Sequence, residues 1–211
     1  MPYQHNASSE LADVNGRGQR SYAIGLLLSR IFHPVFLNIL MFLVVGYYGL
    51  PTRLAGLLWA CASILVLVIP PTLFFSWRLR QGAYSDADVS QRHQRTELYL
   101  FALATLIVGT GVLLALGLPR PFLALLVSAV AMGLSSMLIN SFWKISVHAG
   151  SVSATATVAS LYALPLGVAL WFGALAVGWA RVRTGNHTIM QVLGGTLLSA
   201  VVIVSVFRLM L

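Results

Sequence analysis

From Ile24 to the C-terminus the apolar residues come in long runs, and the polar residues gather between the runs. Where nearly every position is apolar, helical periodicity says little, so run length and punctuation define the elements. A first helix is predicted from about Ile24 or Ile31 to Leu50, with Pro34 near its entry. Pro51, Thr52 and Arg53 turn the chain into a second helix, Leu54 to about Trp77, which Pro70 and Pro71 should kink. The one sizeable polar loop follows, from Arg78 to Arg95. A third helix spans about Thr96 to Leu116, and Gly117, Leu118, Pro119 and Arg120 reverse it. A fourth runs from Pro121 to about Trp143 and closes on Lys144. Beyond His148 the residues are small and hydroxylated (Ser151, Ser153, Thr155, Thr157), which permits close helix packing in lipid. Pro165 and Gly167 divide 149–180 into two short helices. A last helix is predicted from about Thr188 to Leu211, carrying Gly194 and Gly195.

These elements make an all-α integral membrane helix bundle of six or seven transmembrane helices. The number turns on 149–180. As one helix it would be about 48 Å long, against a hydrocarbon core of roughly 30 Å. As a pair, it places the 78–95 loop, the Lys144–His148 segment and the 181–191 segment on one side. Residues 1–23 are polar, include Gly16 and Gly18, and read as a disordered tail. Residues 24–211 form the membrane domain.

Composition supports that class. The 211 residues are 58% hydrophobic and 9% charged, whereas soluble domains carry about 25% charged residues. The net charge is +8, with twelve arginines and one lysine against five acids. Because the charges sit in short loops between apolar runs, nucleic acid is not the expected partner; membrane orientation and an anionic headgroup are. Arg17, Arg20, Arg30, Arg78, Arg80, Arg92, Arg95, Lys144, Arg181 and Arg183 fall on one side, and Arg53, Arg120 and Arg208 on the other. The positive-inside rule then puts the crowded side, with the N-terminus, in the cytoplasm, and the plasma (inner) membrane is the expected location. Cys61 is the lone cysteine and reads as a small packing residue; no Cys/His metal spacing occurs, and neither metal nor cofactor is expected.

The 181–191 segment carries the chemistry. It holds Arg181, Arg183, Asn186, His187 and Gln191 between apolar runs. Lys144 and His148 are four apart, which puts them on one face of a helix, and His187 and Gln191 share that spacing. Arg92 and Arg95 are three apart before the third helix. Converging, these entries would form a pocket of guanidinium, ammonium and imidazole groups. Arginine forks match phosphate oxygens, helix N-termini add backbone N–H groups, and two histidines can divide nucleophile and acid roles.

The arrangement resembles the type 2 phosphatidic acid phosphatase superfamily, membrane lipid phosphatases related to vanadium haloperoxidases. Its motifs are Lys-x6-Arg-Pro, Pro-Ser-Gly-His and Ser-Arg-x5-His-x3-Asp. Here Arg181, His187 and Gln191 keep the third spacing, with Ala180 in place of Ser and Gln191 in place of Asp. Ser146 and His148 keep part of the second. Arg95 alone keeps the first, with Asp88 in place of Lys. The resemblance covers about residues 86–200. It implies that His187 attacks phosphorus to give a phosphohistidine and that His148 protonates the leaving oxygen. Arg95, Arg181 and Ser146 would hold the phosphate oxygens, with Arg92 beside them. Gln191 would orient His187 without supplying the family's negative charge. Lys144 lies outside the pattern and could replace the cation lost at Asp88. The implied activity is metal-independent hydrolysis of a lipid phosphate or diphosphate, polyprenyl or diacyl.

Two other readings stand beside it. Gln191 and the eroded first motif fit a lipid-phosphate binder without catalysis. A transporter or channel subunit would need paired charges inside the spans, whereas these cluster at helix ends. His33 and His93 read as interfacial or loop residues without chemistry, and Arg78, Arg80 and Arg183 as membrane anchors.

Overall fold

The computed structural model describes residues 4–86, 89 and 91–211, without the side chains of 4–17 and 92. No strand occurs among the described residues. The helices are α1 (Gln4–Ile31), α2 (Pro34–Tyr48), α3 (Arg53–Ser63), α4 (Ile69–Arg80), α5 (Arg95–Ala115), α6 (Arg120–Phe142), α7 (Val147–Tyr162), α8 (Leu164–Arg183) and α9 (Ile189–Met210). Among the described residues, five stretches are long and apolar enough to span a bilayer: 53–80, α5, α6, α8 and α9. The pair 18–31 and α2, bent by 42°, makes a sixth if taken as one broken span.

The predicted division of 149–180 is present. Pro165 stands at the start of α8, where its missing N–H costs nothing. Gly167 faces Ser160 so closely that a Cβ there would overlap Ser160. At sixteen residues, about 24 Å, α7 is shorter than each of those five stretches. It packs against α8, α9 and α2 at the centre of the bundle.

Three expectations need correction. Residues 4–23, expected to be a disordered tail, lie in α1; no proline interrupts the chain between Pro2 and Pro34. The first apolar run is broken at Phe32 and His33, because Pro34 confines the residue before it to extended backbone, and His33 has φ −67° and ψ 138°. The predicted second helix continues through Pro70 and Pro71. A π turn over Ile64–Val68 precedes them and takes up the hydrogen bonding they disturb, so 53–80 remains one span. Cys61 is exposed on the outer surface of the bundle and is no packing residue of the core.

The polar segments meet at one end. Arg95 Nη1 donates to Ile145 O at 3.2 Å, Ser146 N to Gln191 O at 3.1 Å, and Lys144 Nζ to Asn186 O at 2.8 Å. Arg183 Nε donates to Ser21 Oγ at 2.7 Å, which brings the described part of α1 to the same end. The 81–94, 143–146 and 184–188 segments are thus joined, as a paired 149–180 requires.

Candidate active site

Arg95 opens α5, where the helix dipole disfavours a cation. Carbonyls hold it there: Nε donates to Val89 O at 2.8 Å and Nη1 to Ile145 O. Val89 is buried with φ 45°, a left-handed conformation that a β-branched residue rarely adopts. The strain falls on the residue whose carbonyl anchors the arginine. Arg181, in the last turn of α8, is only 1% exposed. The helix C-terminus favours its charge, and Nη1 reaches Ser29 Oγ at 3.4 Å.

His187 precedes the N-cap of α9. Thr188 and Gln191 form a capping box. In it Thr188 N donates to Gln191 Oε1 at 3.1 Å, which fixes the amide with its oxygen towards the turn. His187 Nδ1 lies 3.3 Å from the same oxygen. An oxygen already accepting from a backbone N–H needs a donor on this side too, so Nδ1 carries the proton and Nε2 keeps its lone pair. Gly185, at φ +72°, and the bond from His187 N to Arg181 O close the turn between the two residues. Burial pushes the His187 pKa down to about 3; the Lys144, Arg181 and Arg95 cations add to the shift and the Gln191 hydrogen bond opposes it. The imidazole is therefore neutral at physiological pH.

A cavity of about 400 Å³ is lined at its polar end by His33, Arg95, His148, Arg181 and His187. Its remaining wall is largely apolar, with Phe42, Leu67, Phe75, Leu106 and Leu125 among the residues that line it. A charged head and an apolar continuation are what an amphiphilic anion needs. Among the described residues no group of three His, Cys, Asp or Glu is placed to hold a metal ion.

Four expected site residues, His148, His187, Arg95 and Arg181, thus share one cavity. Gln191 stands behind His187. Lys144 is near enough to shift His187 but does not line the cavity. Its helical face with His148 is also a correction: Ser146 is the N-cap, so Lys144 lies before α7. Ser146 Oγ accepts from Ala149 N at 3.3 Å, and the residue lines a neighbouring cavity of about 260 Å³ instead. The Arg92 side chain and Asp88 lie outside the described residues. His33 is the residue sequence reasoning missed. Its only sequence signal was a histidine placed directly before the helix-opening Pro34.

The fold and site together fit an integral membrane helix bundle with an arginine- and histidine-lined anion site at one end. A model of the PAP2 superfamily matches residues 96–211, just over half of the chain. The chain belongs to this superfamily, the type 2 phosphatidic acid phosphatases, whose members are phosphatases acting on lipid-type phosphates. No curated protein and no solved structure matches it.

Proposed function

We propose that this protein hydrolyses a lipid phosphate or diphosphate, polyprenyl or diacyl, without a metal and through a phosphohistidine. His187 Nε2 attacks phosphorus, and the bond to the leaving oxygen breaks. His148 gives its proton to that oxygen, then takes one from the water that releases phosphate. Arg95 and Arg181 hold the non-bridging oxygens as charge moves onto them. Lys144 adds positive field from outside the cavity, and Arg92 is a further candidate for the phosphate shell; Ser146, expected there, faces the neighbouring cavity. The observation that carries this reading is the one cavity that joins the His148 and His187 imidazoles and two buried guanidinium groups to an apolar wall.

Gln191 supports a second reading, a lipid-phosphate binder that has lost the chemistry. A neutral amide fixes the imidazole tautomer but stabilises the phosphoimidazolium less than a carboxylate would. Phosphate release by detergent-purified protein separates the two. The panel is phosphatidate, phosphatidylglycerophosphate and prenyl mono- and diphosphates, with EDTA present. Release that survives EDTA and disappears in His187→Ala is the expected result. No release from any of them favours the binder.

We further propose that the protein lies in the plasma (inner) membrane with the N-terminus and site facing the cytoplasm, on the strength of the arginine distribution. A cysteine introduced into the 81–91 loop of a Cys61→Ser background should then resist an impermeant thiol reagent applied to intact cells. Labelling from outside would reverse the orientation.

A further inference from the structure

Arg95, His148, Arg181 and His187 all come from residue 95 onward, but one more imidazole reaches the cavity from the N-terminal third. His33 sits in the two-residue break between α1 and α2. Pro34 holds it in extended backbone. Phe32, its neighbour, lies against Gly173 of α8 so tightly that a Cβ at Gly173 would come within 2.7 Å of the Phe32 ring. The break is thereby pinned to α8, and the histidine is held in place with it.

Two of its contacts bear on the ring's orientation. His33 Nδ1 accepts from Val35 N at 3.3 Å and caps α2. With Nδ1 an acceptor, the ring proton of the neutral imidazole is on Nε2. The ring also stands against His148, with centroids 5.7 Å apart and planes at 87°. That is the edge-to-face arrangement aromatic rings prefer. His148 is in the first turn of α7, where the backbone is fixed by the Ser146 cap. The direction of its ring depends on the groups packed against it, the His33 ring among them.

We propose that His33 is a positioning residue for His148. By its edge-to-face contact it holds that imidazole in the orientation from which the proton reaches the leaving oxygen. His148 loses one proton to the leaving oxygen as its bond to phosphorus breaks; His33 gains and loses none. The inference rests on the phosphatase reading above.

Leaving-group dependence tests it. A prenyl or other alkyl phosphate needs a proton on its departing oxygen, whereas p-nitrophenyl phosphate leaves as a stable anion. His33→Asn keeps a good N-cap for α2 and removes the ring. In the purified full chain it should lower kcat/KM for the alkyl substrate, which reports the step that expels the leaving oxygen, about tenfold. kcat/KM for p-nitrophenyl phosphate should stay within about twofold. His33→Phe keeps an edge-to-face ring and should restore much of the alkyl-to-aryl rate ratio. In a His148→Ala background, His33→Asn should cost nothing more, because the two act as one unit.

Equal loss on both substrates would make His33 a phosphate contact or a support of the fold, and overturn the proposal. No loss on either, or a full further loss in the His148→Ala background, overturns it as well. If the wild-type chain hydrolyses neither substrate, the phosphatase reading itself fails and this inference goes with it. An active wild type with an unchanged ratio in His33→Asn sinks the inference alone.

Discussion

The helix α7 buries every residue from Val152 to Ala159, whereas α4 buries none of its residues and α5 only Arg95, Gly109 and Leu113. The sequences explain the contrast. Small and hydroxylated residues let the α7 backbone approach its neighbours, and Gly150 and Gly195 face each other across the α7–α9 seam. Along α4 and α5, Leu73, Trp77, Leu100, Ile107 and Val108 point outward, where lipid is as good a solvent as a protein core. His148, Arg181 and His187 belong to the dense seam. Arg95 and much of the cavity's apolar wall belong to the flank. Phosphoryl transfer needs groups held within fractions of an ångström, while an apolar tail needs only a surface without unpaired polar groups. The bundle puts each demand where the packing suits it.

The largest expected effect distinguishes the seam from the surface beside it. Arg181 is buried at the cavity and Arg183, two residues on, is exposed. Arg181→Lys keeps the charge but loses the planar fork. It should lower kcat about 10²- to 10³-fold, the usual effect of losing one oxyanion donor. Arg183→Lys should change it by less than about twofold. Steady-state phosphate release on both variants gives the answer. Similar losses would mean that burial in the seam does not mark the chemistry.

Much of this contrast could be read in the sequence. The ends of α5, α6 and α9 and the division into α7 and α8 followed from apolar run length, Pro165 and Gly167. His148, His187, Arg95 and Arg181 stood out because charge between apolar runs needs a reason. Other features depend on long-range contacts that spacing does not encode. Lys144 and His148 keep a helical interval, yet the Ser146 cap begins the helix between them. Ser146 itself spends its oxygen on that cap. His33 read as an interfacial or loop residue until Phe32 found Gly173. The π turn before Pro70 cannot be told from a kink by composition.

A smaller effect sharpens what the seam supplies to His187. Three cations and burial hold this imidazole neutral, and among the described residues its side-chain hydrogen-bond partner is the neutral Gln191 amide. Gln191→Glu is isosteric and keeps the capping box. It turns the neutral hydrogen bond into a charge-assisted one, worth about 1.4 kcal/mol more, or roughly tenfold in rate. The pH profile should move with it. In the wild type, His187 with a pKa of about 3 sets no acid limb in kcat/KM above pH 4. A carboxylate favours the imidazolium and raises that pKa, so the variant should lose activity as pH falls from a higher starting point. A variant neither faster nor shifted in pH would mean that the charge on this residue does not limit the reaction, and would favour the binding protein.

The smallest effect compares the two regions through one and the same change, Gly to Ala. At Gly195 a Cβ would lie 2.6 Å from Ser146 O, closer than any real contact, so the α7–α9 seam must open. Overpacking of this kind costs about 1–3 kcal/mol. It also moves the segment that carries His148, so activity should fall with stability. At Gly111 on α5 a Cβ meets nothing within 4 Å. There alanine replaces a residue that weakens helix interiors by about 0.5–1 kcal/mol, and stability should rise by up to that amount with activity unchanged. Thermal unfolding in detergent, with phosphate release on the same samples, reads both quantities. If Gly111→Ala destabilises as much as Gly195→Ala, the flank is as tightly determined as the seam. The tolerance of the tail-facing wall would then need another origin than its sparse packing.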